Sequence, residues 1–252
     1  MIIYNNPKYY ELAFSFIDVK KQTKFFEKLF QIQSKIKVKR ILDLACGTSL
    51  QLREFAKKGY TCFGLDLNAH MLDYLQEQAE KEGIIIHTMH ANMCDFQLKE
   101  KIDFAMIMMG SLAYMKSNKE FLQHITTMGK TMNSGGLYFI ENYRINWDPQ
   151  VLFKKQKWTE EKEELKVTTT YQLTLKDALH QLLEEQIIVE VNDHGKKKIL
   201  KEKVITKQIF PEEFKLLIEK QGDFELVGFF KPFSFKKLSQ AEQFNYILLR
   251  RK

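Results

Sequence analysis

The stretch Asp43-Leu44-Ala45-Cys46-Gly47-Thr48-Ser49 places a carboxylate and several small side chains directly after a short apolar run. Small residues allow a ligand to approach the backbone, and Thr48 or Ser49 could cap a following helix. The free N–H groups of such a turn and helix start suit the polar, amino-acid-like end of a ligand. Asp43 could meet the ammonium group of that end directly or through water. The stretch therefore predicts a ligand site between a strand and a helix.

Two polar residues follow the next two apolar runs. Asp66 ends the second run, where an acidic side chain can accept hydrogen bonds from both hydroxyls of a ribose. Asn92 follows the third run, where its amide oxygen could accept from the exocyclic amine of an adenine. Met71, Leu72 or Met93 could pack against the adenine ring. Together these residues predict a cofactor that contains adenosine.

Hydrophobic periodicity predicts the elements that position these residues. A helical segment over residues 1–36 comes first, with its periodic apolar residues between Phe16 and Ile36. Strands joined by helical crossovers indicate an open α/β sheet with both faces covered. The predicted strands are Arg40–Ala45, Thr61–Leu67, Ile84–His90, Ile102–Met109 and, after a Ser134-Gly135-Gly136 turn, Leu137–Tyr143. The predicted helices between them are Leu50–Lys58, Asn68–Glu82 and Phe121–Met132.

The α/β alternation stops after the fifth strand. Apolar residues take every second position from Val167 to Leu175, and a turn at 192–195 separates the following strands. We therefore expect an antiparallel β insertion over residues 146–208, which would serve as a lid, substrate wall or dimer surface. Pro211 then begins a final helix. The closing strands, Phe224–Phe230 and Phe244–Leu249, are predicted to form an antiparallel pair.

These motifs resemble the class I S-adenosylmethionine-dependent methyltransferases. DLACGTS matches their glycine-rich motif, GLDLN the acidic motif, ANMCDF the adenine motif, and IDFAMIMMGSLAY the strand beneath the reaction centre. The resemblance covers about Tyr9 to Tyr143 and resumes near the last three elements. It is greatest to small-molecule methyltransferases with an N-terminal tyrosine pair, here Tyr9-Tyr10, and with antiparallel strands inserted after the fifth strand.

The resemblance implies a single domain over residues 1–252, with a Rossmann-like seven-stranded mixed sheet, helices on both faces and an antiparallel last strand. It implies S-adenosylmethionine as cofactor and S-adenosylhomocysteine as product. Ser49 stands where the family often has a third glycine, and Asn92 where it often has aspartate; serine is still small, and asparagine keeps an acceptor oxygen. The expected cofactor-binding residues are Asp43, Ala45, Cys46, Gly47, Thr48, Ser49, Asp66, Leu67, Met71, Asn92, Met93 and Met109.

A sulfonium methyl group is already activated, so its transfer needs alignment and a deprotonated acceptor more than covalent catalysis. We predict in-line transfer to a nitrogen or oxygen of a small-molecule acceptor. The acceptor pocket and any general base are expected among Tyr10, Ser111, Tyr114, Glu141 and Tyr143.

Three alternatives remain at this point. They are an RNA methyltransferase, a protein that binds S-adenosylmethionine or S-adenosylhomocysteine without turnover, and a nucleotide-dependent oxidoreductase. The loop lacks the GxGxxG spacing of a dinucleotide site, which disfavours the oxidoreductase.

Composition narrows the choice further. The net charge is +7, but lysines greatly outnumber arginines and are scattered among glutamates, which does not favour a nucleic-acid partner. No apolar run reaches the roughly 18 residues of a spanning helix, and the first residues lack a signal-peptide pattern, so we expect a cytoplasmic protein without membrane contact. The cysteines and histidines show no metal-ligand spacing, and we predict no metal. A monomer or homodimer is expected.

Overall fold

The structure is a computed structural model, and it describes residues 2–143, 146 and 148–252. Met1 and Trp147 fall within the predicted N-terminal segment and insertion but lie outside the described residues. The helices are α1 Pro7–Ala13, α2 Val19–Gln33, α3 Leu50–Lys57, α4 Ala69–Lys81, α5 Asn118–Thr131, α6 Pro149–Leu152 and α7 Pro211–Gln221. The strands are β1 Arg40–Leu44, β2 Thr61–Asp66, β3 Ile86–His90, β4 Ile102–Ile107, β5 Met132–Glu141, β6 Gln156–Lys162, β7 Leu165–Asp177, β8 Leu182–Asp193, β9 Lys196–Lys207, β10 Phe224–Phe230 and β11 Tyr246–Arg251.

Seven strands form a mixed sheet in the order β10-β11-β5-β4-β1-β2-β3. Strands β1 to β5 are parallel, whereas β11 runs antiparallel to both of its neighbours, β5 and β10. The predicted fold class, with its antiparallel last strand and its inserted antiparallel strands, is confirmed. Because β1 and β4 lie side by side near the centre, the chain segments that leave their carboxyl ends meet at one edge of the sheet.

Helices cover both faces of this sheet. Every residue of β4 is buried, and its side chains alternate between two hydrophobic clusters. Phe104 and Met106 pack with α2, α3 and α4 on one face, whereas Ala105 and Ile107 pack with α5 and α7 on the other. A strand that is buried on both faces is therefore what a position in the middle of the sheet requires.

The insertion forms a separate four-stranded antiparallel sheet in the order β6-β7-β8-β9. Its alternating apolar residues, such as Val167 and Val189, pack against Leu12 and Ala13 of α1. The sequence analysis did not predict β6, because its residues QKWTEEK carry one large apolar side chain and four charges. Pairing with β7, rather than an apolar face of its own, places this strand at the edge of the sheet.

The N-terminal segment over residues 1–36, which was predicted to be helical, has its first helix outside the stretch of periodic apolar residues. It contains two helices, and α1 begins well before Phe16, with Pro7 in its first turn. The short length of α1 leaves only two of its residues buried, too few for a periodic apolar signal.

The predicted turn at Ser134-Gly135-Gly136 is wrong, because these residues lie within β5. The β4–β5 register shifts between Ile102 and Phe104, and this irregularity accommodates the glycines. A Cβ atom added to Gly136 would lie 2.6 Å from the carbonyl oxygen of Asp103, so the two strands approach too closely for any other residue.

No helix among the residues that the structure describes is long and apolar enough to cross a membrane.

Phe26 provides a test of the aromatic packing on one face of the sheet. It is 1% exposed, and its ring contacts Phe55, Phe104 and Phe139. We expect Phe26→Ala to lower the free energy of unfolding by about 3 to 5 kcal/mol, since it leaves a cavity in the core. Urea denaturation followed by circular dichroism measures this. Phe16→Ala is the control, because Phe16 is 59% exposed; equal losses in the two variants would contradict the assignment of Phe26 to the core.

Candidate functional site

The turn between β1 and α3 is held in an unusual backbone conformation. Ala45, Gly47 and Ser49 all have φ in the left-handed region, at 52°, 53° and 34°. The Ser49 hydroxyl accepts a hydrogen bond from the N–H of Leu52 at 3.3 Å, so Ser49 caps α3. Hydrogen bonds within the protein hold the turn: the N–H of Cys46 donates to the Leu65 carbonyl oxygen at 2.9 Å, and the N–H of Ser49 donates to the Cys46 carbonyl oxygen at 3.0 Å.

Asp43 lies below this turn, where β1 approaches its carboxyl end. Its side chain is 2% exposed, and its Oδ2 accepts a hydrogen bond from the Ser49 hydroxyl at 2.6 Å. Its Oδ1 has no hydrogen-bond partner within the described part of the chain. Burial raises the pKa of Asp43 to about 7, although the hydrogen bond from Ser49 opposes this shift. Asp43 lines a cleft of about 50 Å³ together with Ala45, Cys46, Thr48 and Ser49.

Asp66, at the end of β2, connects the two neighbouring loops. Its Oδ2 accepts a hydrogen bond from the N–H of Gly47 at 2.8 Å, and its Oδ1 accepts one from the N–H of Asn68, also at 2.8 Å. Burial raises the pKa of Asp66, and the backbone hydrogen bonds oppose this. The carboxylate thus faces the glycine turn and holds it beside the end of β2.

Four other predicted cofactor-binding residues lie around the ends of β2 and β3. Met71 and Met93 are buried, whereas Leu67 is 57% exposed. Asn92 is exposed, and its Oδ1 accepts a hydrogen bond from the N–H of Cys94 at 2.9 Å. None of the four lines the cleft that contains Asp43.

A larger cavity of about 820 Å³ adjoins the cleft. The two share five lining residues, Tyr10, Phe14, Ile17, Met109 and Ser111. The cavity is lined by parts of α1, α2, β5, the insertion and the segment between β10 and β11. Its aromatic lining consists of Tyr4, Tyr10, Phe14, Phe16, Tyr114, Trp158, Tyr171, Phe233, Phe244 and Tyr246.

Tyr10 lies at the boundary between the cleft and the cavity. Its ring lies close to Gly47, since a Cβ atom there would be 3.7 Å from Tyr10 Cε1. Its hydroxyl contacts the Met109 sulfur at 3.9 Å. Burial raises the pKa of Tyr10 well above its usual value, so the phenol stays neutral. Helix α1 therefore covers the turn that follows β1.

A cluster of hydroxyl and carboxylate groups lies deeper in the cavity. The hydroxyls of Tyr4 and Tyr114 are 2.7 Å apart. Tyr114 donates to Glu185 Oε1 at 3.2 Å, and Tyr171 donates to Glu185 Oε2 at 3.1 Å. Sequence reasoning predicted Tyr114 but missed Tyr4, Tyr171 and Glu185. The alternation of β7 and β8 shows that Tyr171 and Glu185 lie in strands, but it does not show that their side chains meet.

The predicted catalytic residues do not all lie together. Tyr10, Ser111, Tyr114 and Glu141 line the large cavity. Tyr143 lies instead in the hydrophobic core, 1% exposed, where its hydroxyl accepts a hydrogen bond from the N–H of Ile209 at 3.1 Å. This position removes Tyr143 from the residues that line the cavity.

The sequence also predicted that the protein has no metal site. Among the described residues, no group of three or more His, Cys, Asp and Glu side chains is arranged to hold a metal ion. The absence of a metal stays a prediction.

The open sheet with its antiparallel last strand, and the turn after β1 with a carboxylate beside it, define a methyltransferase-type α/β domain. Residues 41–136 match the family model described as "Methyltransferase domain". Over this part of the chain the predicted resemblance to the class I S-adenosylmethionine-dependent methyltransferases is confirmed.

Individual proteins show the same relation. A Geobacillus sp. (strain WCH70) protein named as a methyltransferase is 29% identical over 116 residues, which cover 44% of this chain and 47% of the relative. The dTDP-3-amino-3,4,6-trideoxy-alpha-D-glucopyranose N,N-dimethyltransferase of Streptomyces venezuelae is 28% identical over 111 residues, or 44% of each chain. This chain thus spans about half the length of the curated relatives it matches.

A solved structure extends the likeness of the fold to nearly the whole chain. The S-adenosylmethionine-dependent methyltransferase from Clostridium acetobutylicum ATCC 824 superposes with a TM-score of 0.80 at 19% identity. The match covers 96% of both chains. At this identity the comparison concerns the fold alone, and it includes the inserted strands.

Asp43 gives a testable dependence of stability on pH. Its pKa is about 7 in the folded protein, against 3.8 as its ordinary value, so the folded state keeps a proton that the unfolded state loses. Stability is therefore lost as the pH rises from about 4 to 7. We expect Asp43→Asn to be more stable than the wild type by about 1 to 3 kcal/mol at pH 8, and to show little difference at pH 4.

Calorimetric unfolding at the two pH values measures this effect. Asp73→Asn serves as the control, because Asp73 is exposed on α4. An Asp43→Asn variant that loses as much stability as the wild type between pH 4 and 8 would show that Asp43 ionises normally.

Proposed function

We propose that this protein transfers a methyl group from S-adenosylmethionine to a nitrogen of a small, sugar-like amine, with S-adenosylhomocysteine as the second product. The observation that carries the proposal is the wall shared by the small polar cleft and the large aromatic cavity, which contains Tyr10, Met109 and Ser111. A methyl donor with its amino-acid end in the cleft and an acceptor in the cavity would meet at this wall. Both substrates of a displacement reaction would then be aligned.

The residues around the cleft fit the predicted cofactor. The unpartnered Oδ1 of Asp43 is suited to an ammonium group, and the N–H groups of the first turn of α3 would suit a carboxylate. Asp66 would take the ribose hydroxyls in addition to, or in place of, its bond from Gly47, and Met71 and Asn92 would lie near the adenine. The bound cofactor supplies an activated methyl group on a sulfonium. The match to the methyltransferase domain supports this assignment independently.

The acceptor is proposed to be an amine for two reasons. The Streptomyces venezuelae relative is named as an N,N-dimethyltransferase of an amino sugar. The cavity combines aromatic side chains with the carboxylates of Glu141, Glu160 and Glu185, and such surroundings favour a cationic or polar acceptor over an acidic one. A volume of about 820 Å³ suits a small molecule.

The inserted sheet is proposed to form the substrate wall. Strands β7 and β8 contribute Tyr171 and Glu185 to the cavity, and β6 contributes Trp158. Helix α1 lies against this sheet and also covers the cleft, so it would exclude water from both sites. A location in the cytoplasm and a monomer or homodimer remain part of the proposal, and the three cysteines are free, as expected in a reducing compartment.

Binding of S-adenosylhomocysteine tests the cofactor assignment. We expect the wild type to bind it, and we expect Asp66→Ala to weaken the binding by about 1 to 3 kcal/mol through lost hydrogen bonds. Isothermal titration calorimetry measures both affinities. Asp73→Ala is the matched control on the exposed side of α4. Absence of binding by the wild type would refute the proposed function, and an unchanged affinity of Asp66→Ala would refute the place given to the ribose.

Tyr114 tests the role of the cavity. Tyr114→Phe keeps the ring but removes the hydroxyl between Tyr4 and Glu185. We expect the KM for an amine acceptor to rise about tenfold, because an interaction of about 1 kcal/mol or more is lost. The affinity for S-adenosylhomocysteine should stay within twofold of the wild type. Steady-state kinetics across a panel of amino sugars measures the KM. A changed cofactor affinity with an unchanged KM would show that Tyr114 contributes to the cofactor site and not to the acceptor site.

A further inference from the structure

Glu141 is a buried carboxylate at the carboxyl end of β5. Its side chain is 5% exposed and lines the large cavity. Strand β5 lies next to β4, whose carboxyl end leads to Met109 and Ser111 in the shared wall. The register of the sheet therefore brings Glu141 to the place where donor and acceptor would meet.

Backbone and side-chain hydrogen bonds fix Glu141 against the segment that follows β4. Its Oε2 accepts from the N–H of Met109 at 3.1 Å, and its carbonyl oxygen accepts from the N–H of Gly110 at 3.0 Å. Both of these residues have φ in the left-handed region, at 55° and 74°. Since Glu141 holds this strained turn at two points, the carboxylate and the wall form one rigid unit.

The other carboxylate oxygen ends a chain of buried amides. Gln51 donates from Nε2 to Gln22 Oε1 at 2.8 Å, and Gln22 donates from Nε2 to Glu141 Oε1 at 3.1 Å. Every donor in the chain points toward Glu141, an arrangement that suits an ionised carboxylate. Gln51 lines the cleft, whereas Gln22 and Glu141 line the cavity. The chain thus links the two sites through the amide groups of Gln22 and Gln51, which do not take up a proton at neutral pH.

Each carboxylate oxygen has a second lone pair, so Glu141 retains acceptor capacity on the side of the cavity. Burial raises the pKa of Glu141 to about 7, although the hydrogen bonds from Met109 and Gln22 oppose this shift. The charge of Glu141 in turn raises the pKa of Asp43 and the pKa of Tyr246. The other titratable groups that line the same cavity are Tyr4, Tyr10, Asp18, Lys21, Tyr114, Lys157, Glu160, Tyr171 and Glu185.

We infer that Glu141 binds the amine of the acceptor and takes up the proton that this nitrogen must lose. The inference rests on the proposed methyl transfer and adds the proton acceptor to it. The ammonium form, R–NH3⁺, passes one proton to the Glu141 carboxylate and becomes R–NH2. The nitrogen lone pair then forms the N–C bond while the C–S bond breaks and its electron pair stays on sulfur. The methylated nitrogen carries the positive charge, and Glu141 returns its proton to water after product release.

A carboxylate with a pKa near 7 suits this role, because a base works best when its pKa lies close to the working pH. Its ionised form is needed, so activity should fall as the pH drops through about 7.

The variant Glu141→Gln tests the inference, since amide flips at Gln22 and Gln51 would let the buried chain remain hydrogen-bonded. We expect kcat at pH 7 to fall about a hundredfold. The rate of the variant should then follow the free amine alone, so its acid limb should move from near pH 7 to the pKa of the acceptor's ammonium group, roughly 8 to 10. A structural role would not move this limb. The control Glu190→Gln removes a charge from an exposed position on β8, outside the lining of the cavity, and should stay within threefold.

Three results separate the inference from the proposed function. A Glu141→Gln variant that binds S-adenosylhomocysteine normally and keeps the wild-type rate and pH profile would overturn the role of Glu141 and leave methyl transfer intact. Failure of the wild type to methylate any amine would refute the proposed function.

In that case infrared difference spectra of the wild type and Glu141→Gln, with 3-amino-3-deoxyglucose as the probe, still decide the inference. We expect a protonated carboxyl band that disappears with a midpoint near pH 7, and a lower midpoint when the probe is present. A carboxyl group that is ionised throughout, or that ignores the probe, would overturn it.

Discussion

Burial of two carboxylates at one edge of a parallel sheet is the constraint on which the site depends. Asp43 lies next to the carboxyl end of β1, and Glu141 is the last residue of β5. Both are nearly inaccessible to water, and burial raises the pKa of each to about 7. An ionised group in such a place costs free energy unless a cation or hydrogen-bond donors compensate it. Ser49, Met109 and Gln22 supply part of that compensation. A positively charged ligand would supply the rest of the compensation. The burial of the two carboxylates therefore lowers the stability of the free protein but favours the binding of such a ligand.

The N-terminal helix α1 converts this edge into an enclosed site. It is attached to α3 through an ion pair between Glu11 and Arg53, and to the insertion through a hydrogen bond from Trp158 Nε1 to the Ala13 carbonyl oxygen at 2.7 Å. Tyr9 also donates to Asp193 at 3.0 Å. A seven-residue helix would be unstable in isolation, and its order comes from these contacts. Both the cleft and the cavity therefore depend on contacts between parts of the chain that are far apart in sequence.

The cleft and the cavity differ in which parts of the chain supply their polar groups. Whereas the cleft is formed mainly by one turn and the ends of neighbouring strands, the cavity requires a tyrosine from the N-terminus, one from the segment after β4, and two residues from the inserted sheet. The proposed cofactor side of the site is formed by the main sheet. The proposed acceptor side is formed by the packing of the inserted sheet on α1, and a change in that packing would change the cavity without disturbing the main sheet.

The sequence by itself determined the succession of strands and helices along the chain in the main α/β part, because buried strands and amphipathic helices have local hydrophobic patterns. It also determined the turn from Asp43 to Ser49 and the acid at Asp66. It predicted a helical segment over residues 1–36 without separating α1 from α2, and it did not predict β6. The stability of α1 and β6 comes from partners rather than from their own apolar faces. The sequence analysis grouped Tyr143 with Glu141, but Asn142, with φ of 52°, ends the strand between them and directs Tyr143 into the core. Only the tertiary structure brought Tyr4, Tyr171 and Glu185 together, since hydrophobic periodicity reports which face of an element is buried and contains no information about which distant side chain lies opposite.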